Sequence, residues 1–288
     1  MGEVTVKRRG NIGFCSLQAR GRDFDPIYYL GSLKLLKRAK KVAIVGSRNA
    51  SEWALRCARL IAREFGRRGV VIVSGYARGI DSEAHKGALE GKRGATVIVL
   101  PEGLLEFKPN KLEGIPNWRK RTLVLSQFAP HEKWKASNAM KRNEVICALS
   151  DAVIVVEAGP ERDENGKMSG SFQAGKTALK LGVPLFVIIP EPGQLPFDDG
   201  SILNVPVGNA KLAEEGAISL PIDPKDLRDN ARGESIKNAV RKVIGAIQRS
   251  GSRKKRLGTK RFALTTAKKG NLEPEKVTRL GEYGRSKG

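Results

Sequence analysis

Two glycine-containing loops follow runs of β-branched residues and carry arginines. Residues 42–45 lead into Gly46, Ser47 and Arg48, and residues 70–73 lead through Ser74 into Gly75, Tyr76, Ala77, Arg78 and Gly79. Glycine lets a backbone approach a ligand closely, and a helix starting just after such a loop offers unpaired N–H groups and the positive end of its dipole. Phosphate is the anion that this combination holds, and Arg48 and Arg78 are placed to close over it with bidentate hydrogen bonds. The competing reading is two tight turns with solvent-facing arginines. A third loop, Ser169-Gly170-Ser171, has hydroxyls that either cap a helix starting at Phe172 or join the same anion site. Lys141-Arg142-Asn143, near another helix start, adds two cations, with a solvated basic turn as its alternative.

Other chemistries find little support. Neither glycine loop has the GxGxxG spacing of dinucleotide enzymes or the Walker pattern ending in Gly-Lys-Ser/Thr, and no GxSxG elbow occurs. His85 and His131 are the only histidines, and their spacing suggests neither a triad nor a metal site. Cys15, Cys57 and Cys147 are too far apart in sequence for a zinc or disulfide framework and are expected as reduced structural thiols. Glu157 ends a strand beside Gly159, but a lone carboxylate without a partner is weak support for acid–base work. No catalytic residue, metal or cofactor is expected.

The elements that must position these loops are legible as a pattern. Five short apolar runs, at 42–45, 70–73, 96–100, 152–156 and 185–189, are continuous rather than alternating, as in strands buried on both faces. Amphipathic stretches at 52–68, 81–90, 139–149 and 172–181 separate them, with Gly69, Gly91 and Gly182 at the expected helix ends. The fold class is therefore α/β, a Rossmann-like doubly wound and mainly parallel sheet. An added strand is expected at 25–30, a short basic helix at 33–41, an irregular Pro-rich stretch from 190 to 206, and a last helix at 235–248. The domain division is a basic N-terminal lead at 1–24, the Rossmann domain at 25–248, and a basic, flexible tail at 249–288.

The 288-residue chain carries 53 Lys plus Arg against 30 Asp plus Glu, a formal +23. That excess exceeds what solubility requires and points to a polyanionic partner, with general charge-richness as the plainer account. The tail contributes thirteen basic residues against Glu273, Glu275 and Glu282, so the remainder is strongly basic by itself. No signal-peptide core or membrane span is evident, and a cytoplasmic location is expected.

Taken in order, VAIVGSR at 42–48, VSGYARGIDSEAH at 73–85, KRNEVICALSDAVIVVEA at 141–158, SGSFQAGKTAL at 169–179 and GNAKLAEEGA at 208–217 resemble the successive motifs of the DNA-processing protein A family, DprA or Smf. The resemblance covers roughly residues 25–227. It implies a non-catalytic Rossmann-like domain that binds and protects single-stranded DNA, assists loading of a RecA-type recombinase during DNA uptake, recombination or repair, and forms a homodimer. It places the anion pocket on Ser47, Arg48, Gly75, Gly79, Lys141, Arg142, Asn143, Ser169 and Ser171. Departures are Glu144 where the family has a second arginine, Gln127 for the usual glutamate, Pro101 at a strand end, Ala174-Gly175 for Thr-Ala, a charged loop at 159–168, and a basic tail in place of a small winged-helix-like domain.

The expected function is sequence-tolerant binding of single-stranded DNA, with Trp118, Phe128 and Trp134 as candidates for base stacking and burial expected for at least two of them. The alternatives are a phosphoribohydrolase-like nucleotide enzyme using Glu157, whose PGGxGTxxE loop is missing here, and a nucleotide- or RNA-binding adaptor.

Overall fold

In a computed structural model, residues 12–37, 40–191, 204–256 and 262–265 are described. Their strands are β1 (Gly13–Ala19), β2 (Arg22–Gly31), β3 (Lys41–Val45), β4 (Val71–Ser74), β5 (Ala95–Val99), β6 (Thr122–Ser126), β7 (Ala152–Val155), β8 (Leu185–Pro190), β9 (Ile218–Ile222) and β10 (Phe262–Thr265). The helices are α1 (Glu52–Arg67), α2 (Ile80–Glu90), α3 (Trp118–Arg121), α4 (Ala136–Leu149), α5 (Gly170–Lys180), α6 (Val207–Glu214) and α7 (Glu234–Arg256). All ten strands join one sheet in the order β10-β1-β2-β6-β5-β4-β3-β7-β8-β9. The stretch from β6 to β9 is parallel, and β2, β1 and β10 are added antiparallel at one edge. The doubly wound, mainly parallel α/β architecture is thus as the sequence predicts.

Strand periodicity decides which layer each residue enters. On β3, Val42 and Ile44 pack with α1, α2 and α7, whereas Ala43 and Val45 pack with α4, α5 and Leu212 of α6. Both faces are therefore covered, which explains the unbroken apolar runs. Helix α1 buries Ala54, Cys57, Ala58, Ile61, Ala62 and Phe65 along one stripe, turning Arg56, Arg59 and Arg63 to the opposite side. All three cysteines are free and buried.

Several boundaries differ from expectation. The N-terminal lead expected at 1–24 is structured over its second half, because β1 and β2 form a hairpin in which Ala19 pairs with Arg22. Its turn residues Arg20 and Gly21 both have positive φ, 53° and 72°, as a two-residue hairpin turn of the primed kind requires. Arg20 bears that conformation while its guanidinium donates to the Ser150 carbonyl at 2.7 Å. The basic helix expected at 33–41 is a 3-10 turn over Leu33–Lys37, since Lys41 already belongs to β3 and its N–H donates to Asp151 Oδ2 at 3.0 Å.

Strand β6, fully buried between β5 and β2, lay outside the predicted strands, as did β9. Helix α6 begins at Val207, directly after the Pro-rich stretch expected at 190–206. The helix expected to end at 248 continues to Arg256. Residues 262–265 use the free edge of β1. Of the basic, flexible tail expected from residue 249, residues 249–256 are helical and 262–265 form a strand; 257–261 and 266–288 lie outside the described residues. Among the described residues no helix is long and apolar enough to cross a membrane.

Candidate nucleic-acid interface

Strand β3 lies between β4 and β7, so the chain winds away from it in both directions. Connections leave such a switch point on opposite faces, and the gap beyond the strand ends becomes a crevice. Here the crevice has a volume of ≈ 630 Å³ and is lined by Gly46, Ser47, Arg48 and Arg78 from one side and by Arg142, Asn143, Ser169, Gly170 and Ser171 from the other. Of the residues singled out in the sequence, Gly75 and Gly79 stand behind this lining, and Lys141 is exposed outside it.

Arg142 forms the floor. It is buried, and its Nη2 lies 3.6 Å from Asp81 Oδ2 in an ion pair between α4 and α2. Its Nη1 donates to Asn143 Oδ1 at 3.3 Å, and Nε has no hydrogen-bond partner among the described residues. Burial pulls this guanidinium below its usual pKa; Asp81 opposes that and the Arg48 charge adds to it. A buried cation with an incomplete set of acceptors gains strongly from an anion placed over it.

The glycines behave differently from the sequence reading. Their vacant side-chain positions are filled by the protein rather than held open for a ligand. A Cβ on Gly75 would collide with the Arg142 guanidinium, and one on Gly46 would press on the Ile80 side chain. Gly79, at φ 81°, packs against the Ser47 carbonyl oxygen, and Ile80 N–H donates to that oxygen at 3.3 Å. Gly75 is therefore the partner of Arg142, where the sequence had suggested Arg78.

Arg78 instead hydrogen-bonds Asn49 Oδ1, bracing one loop against the other. Arg48 lies over the Trp134 ring, 5.5 Å from its centroid. Ser169 caps α5 by accepting from Phe172 N–H at 3.3 Å, and its Oγ also lies 3.2 Å from Ser171 Oγ. The capping reading of that loop therefore holds, and the two hydroxyls border the cleft. Asn143 Nδ2 donates to the Gly170 carbonyl at 3.0 Å and fixes this loop to α4. Beyond it, residues 160–168 fold back through a bridge between Arg162 and Met168, and Asp163, Lys167 and Met168 reach the lining.

The N-terminus of α1 is already occupied. Both Glu157 carboxylate oxygens accept from Ser51 N–H at 3.2 Å, and Oε2 accepts from Ser51 Oγ at 2.5 Å. Glu157 thereby holds the N-cap residue Ser51 and sets a carboxylate beside this helix end, a charge that opposes the phosphate expected there from the sequence. Glu144 faces Arg22 on β2 at 3.0 Å, away from the cleft.

Behind Gly75 lies a buried polar cluster that sequence inspection missed. His85 Nδ1 lies 2.6 Å from Thr96 Oγ1, and Nε2 has no hydrogen-bond partner among the described residues. Burial, with the nearby Lys111 and Arg142 charges, pulls this imidazole down to about 3. Lys111 Nζ donates to the carbonyl of Tyr76, which adopts φ 60°. Asp81 was detectable as the carboxylate in the first turn of α2, but nothing local identified Arg142 as its partner. Another cleft, of ≈ 670 Å³, runs along the outer side of α1. Its Arg56, Arg59 and Arg63 already face Asp229, Glu83 and Glu90, which leaves less free charge there for an anion.

Residues 23–226 match the family described as DNA recombination-mediator protein A. DNA processing protein DprA of Bacillus subtilis is 32% identical over 200 residues, 67% of this chain and 61% of the relative. Protein Smf of Escherichia coli is 33% identical over 192 residues, 66% of this chain and 46% of the relative. The chain thus matches less than two thirds of the length of either. Among solved structures, DNA processing protein A of Helicobacter pylori, described with a unique single-stranded DNA binding mode, is 28% identical with a TM-score of 0.59, over 78% of this chain and 89% of that one. The Streptococcus pneumoniae protein is 30% identical with a TM-score of 0.54, over 74% and 65%.

Proposed function

The chain belongs to the DNA recombination-mediator protein A family, and from that premise we propose that its cleft holds the backbone of single-stranded DNA. The observation that carries the reading is Arg142, a buried and incompletely partnered guanidinium at the floor of a cleft walled by Arg48, Arg78 and the Ser169 and Ser171 hydroxyls. Such a site recognises phosphate without reading a base, and therefore tolerates sequence. The basic residues elsewhere in the chain add long-range attraction.

In the same reading the protein is a cytoplasmic homodimer that shields the strand and assists a RecA-type recombinase, in keeping with the family's description as a recombination mediator. It acts by binding rather than catalysis: Glu157, the carboxylate that the sequence offered as a base, is engaged by Ser51.

Salt-titrated binding of oligo-dT, duplex DNA and RNA to the full chain tests this, alongside Arg48→Ala and Arg142→Ala. The expected result is a preference for oligo-dT whose log–log salt slope loses about 0.7 for each phosphate contact removed. A flat salt response, or unaltered binding in Arg142→Ala, would sink the reading; RNA binding equal to oligo-dT would replace it with the adaptor alternative.

A further inference from the structure

The chain has three tryptophans, and the structure treats them unequally. Trp53 and Trp118 are 5% and 9% exposed, whereas Trp134 is 49% exposed. Burying an aromatic side chain is worth kilocalories, so an indole left half in water beside a cleft is informative. Trp134 lies between β6 and α4, just before Ala136 and Ser137, which line the cleft. Arg48 lines the cleft too and stands over the Trp134 ring, 5.5 Å from its centroid. Among the described residues no second cation or ring packs on that indole. The guanidinium restrains the ring before any ligand arrives, reducing the ordering cost of binding.

We propose that Trp134 is a stacking platform for an unpaired nucleobase, and that it confers the preference for single strands. The proposal rests on the reading of the cleft as a backbone site for single-stranded DNA. A strand whose phosphates approach Arg142 and the Ser171 hydroxyl would bring a neighbouring base towards the cleft mouth. A single-stranded base can leave its neighbours and offer a face to the indole. In a duplex each base is held by its pair and by the bases above and below, so Trp134 gains nothing from it. Arg48 then contributes twice, through its charge to the phosphates and through its hold on the ring.

The test uses the full chain and labelled oligo-dT and duplex DNA, with intrinsic tryptophan fluorescence as a second readout. Because Trp53 and Trp118 are buried, quenching by oligo-dT should come from Trp134 and vanish in Trp134→Leu. Trp134→Ala should weaken oligo-dT binding roughly five- to hundredfold, the range of one lost base stack. Duplex affinity and the salt slope should stay unchanged, since no phosphate contact is removed, and Trp134→Phe should restore most of the loss. Wild-type affinity for oligo-dT in Trp134→Ala overturns the proposal while leaving the cleft reading intact, as does an equal loss for both DNAs. Failure of the wild type to bind oligo-dT at all overturns the cleft reading and the proposal with it.

Discussion

The guanidinium of Arg142 occupies the space that a side chain on Gly75 would need, and it does so beyond the end of β4, where α4 and α2 meet from opposite faces of the sheet. Asp81 on α2 completes the arrangement at 3.6 Å. The absent side chain thus makes room for a buried cation beneath the cleft.

Gly75→Ala should therefore act on both binding and folding. The new methyl collides with the far end of a side chain rather than with backbone, so Arg142 has to leave its pocket. We expect oligo-dT affinity to fall at least tenfold, about 1.4 kcal/mol, and the thermal midpoint to fall too, because Asp81 is left buried without its ion pair. Fluorescence anisotropy and calorimetry on the same preparation check both halves; undiminished affinity would argue against Arg142 as the anion contact.

Glu157→Gln separates a capping role from a catalytic one. Weakening the bonds to Ser51 should cost about 1 kcal/mol of stability, measurable by urea unfolding. Removing a negative charge near the cleft should leave DNA binding equal or tighter. Release of base from nucleoside monophosphates by the wild type, abolished in this variant, would instead restore the enzyme reading.

His85 sets a pH dependence of stability. Its pKa is about 3 in the folded protein against an ordinary 6.5, so below pH 6.5 the unfolded chain takes up a proton that the folded one refuses. The favourable contribution is complete above 6.5 and declines as pH falls towards 3, with a slope of up to about 1.4 kcal/mol per pH unit. Urea unfolding between pH 6.5 and 5 isolates this slope from most carboxylate titration. A flat profile in that window would contradict it.

Asn209 carries a purely structural load. Fully buried, it donates from Nδ2 to the Val156 and Ile188 carbonyls at 2.9 and 2.8 Å, and its Oδ1 accepts from Ala158 N–H at 2.9 Å. The side chain ties α6 to the ends of β7 and β8. Asn209→Ala strands three buried backbone groups and should destabilise the fold by about 3 kcal/mol or more, read as a lower urea midpoint.

What the sequence revealed followed the range of its signals. The runs at 42–45 and 152–156 are local and continuous, and both faces of their strands are covered, so strand and sheet type could be inferred together. The loops after residues 45 and 73 were recognisable because glycine and arginine stand within three residues of each other there. Strand β6 escaped because its apolar run is only Leu123, Val124 and Leu125, flanked by Thr122 and Ser126 and following the basic turn Trp118–Arg121. The β1–β2 hairpin escaped because its turn is Arg20-Gly21 rather than a common Asn-Gly pair. Arg142 beneath Gly75 and Glu157 on Ser51 are contacts between distant segments, and no periodicity or spacing encodes them. The aromatic expectation fared better: Trp118 and Phe128 are buried, and Trp134 alone of the three stays exposed.

The two walls of the cleft belong to loops on either side of β3, one bearing Arg48 and Arg78, the other bearing Ser169 and Ser171. A ligand gripping both would clasp the half-sheet β3-β4-β5-β6 to the half-sheet β7-β8-β9. Local opening of either half would then require release of the ligand. Bound DNA should slow amide exchange in the first turns of α2 and α5 together, so that two segments far apart in the chain would open and close as one unit.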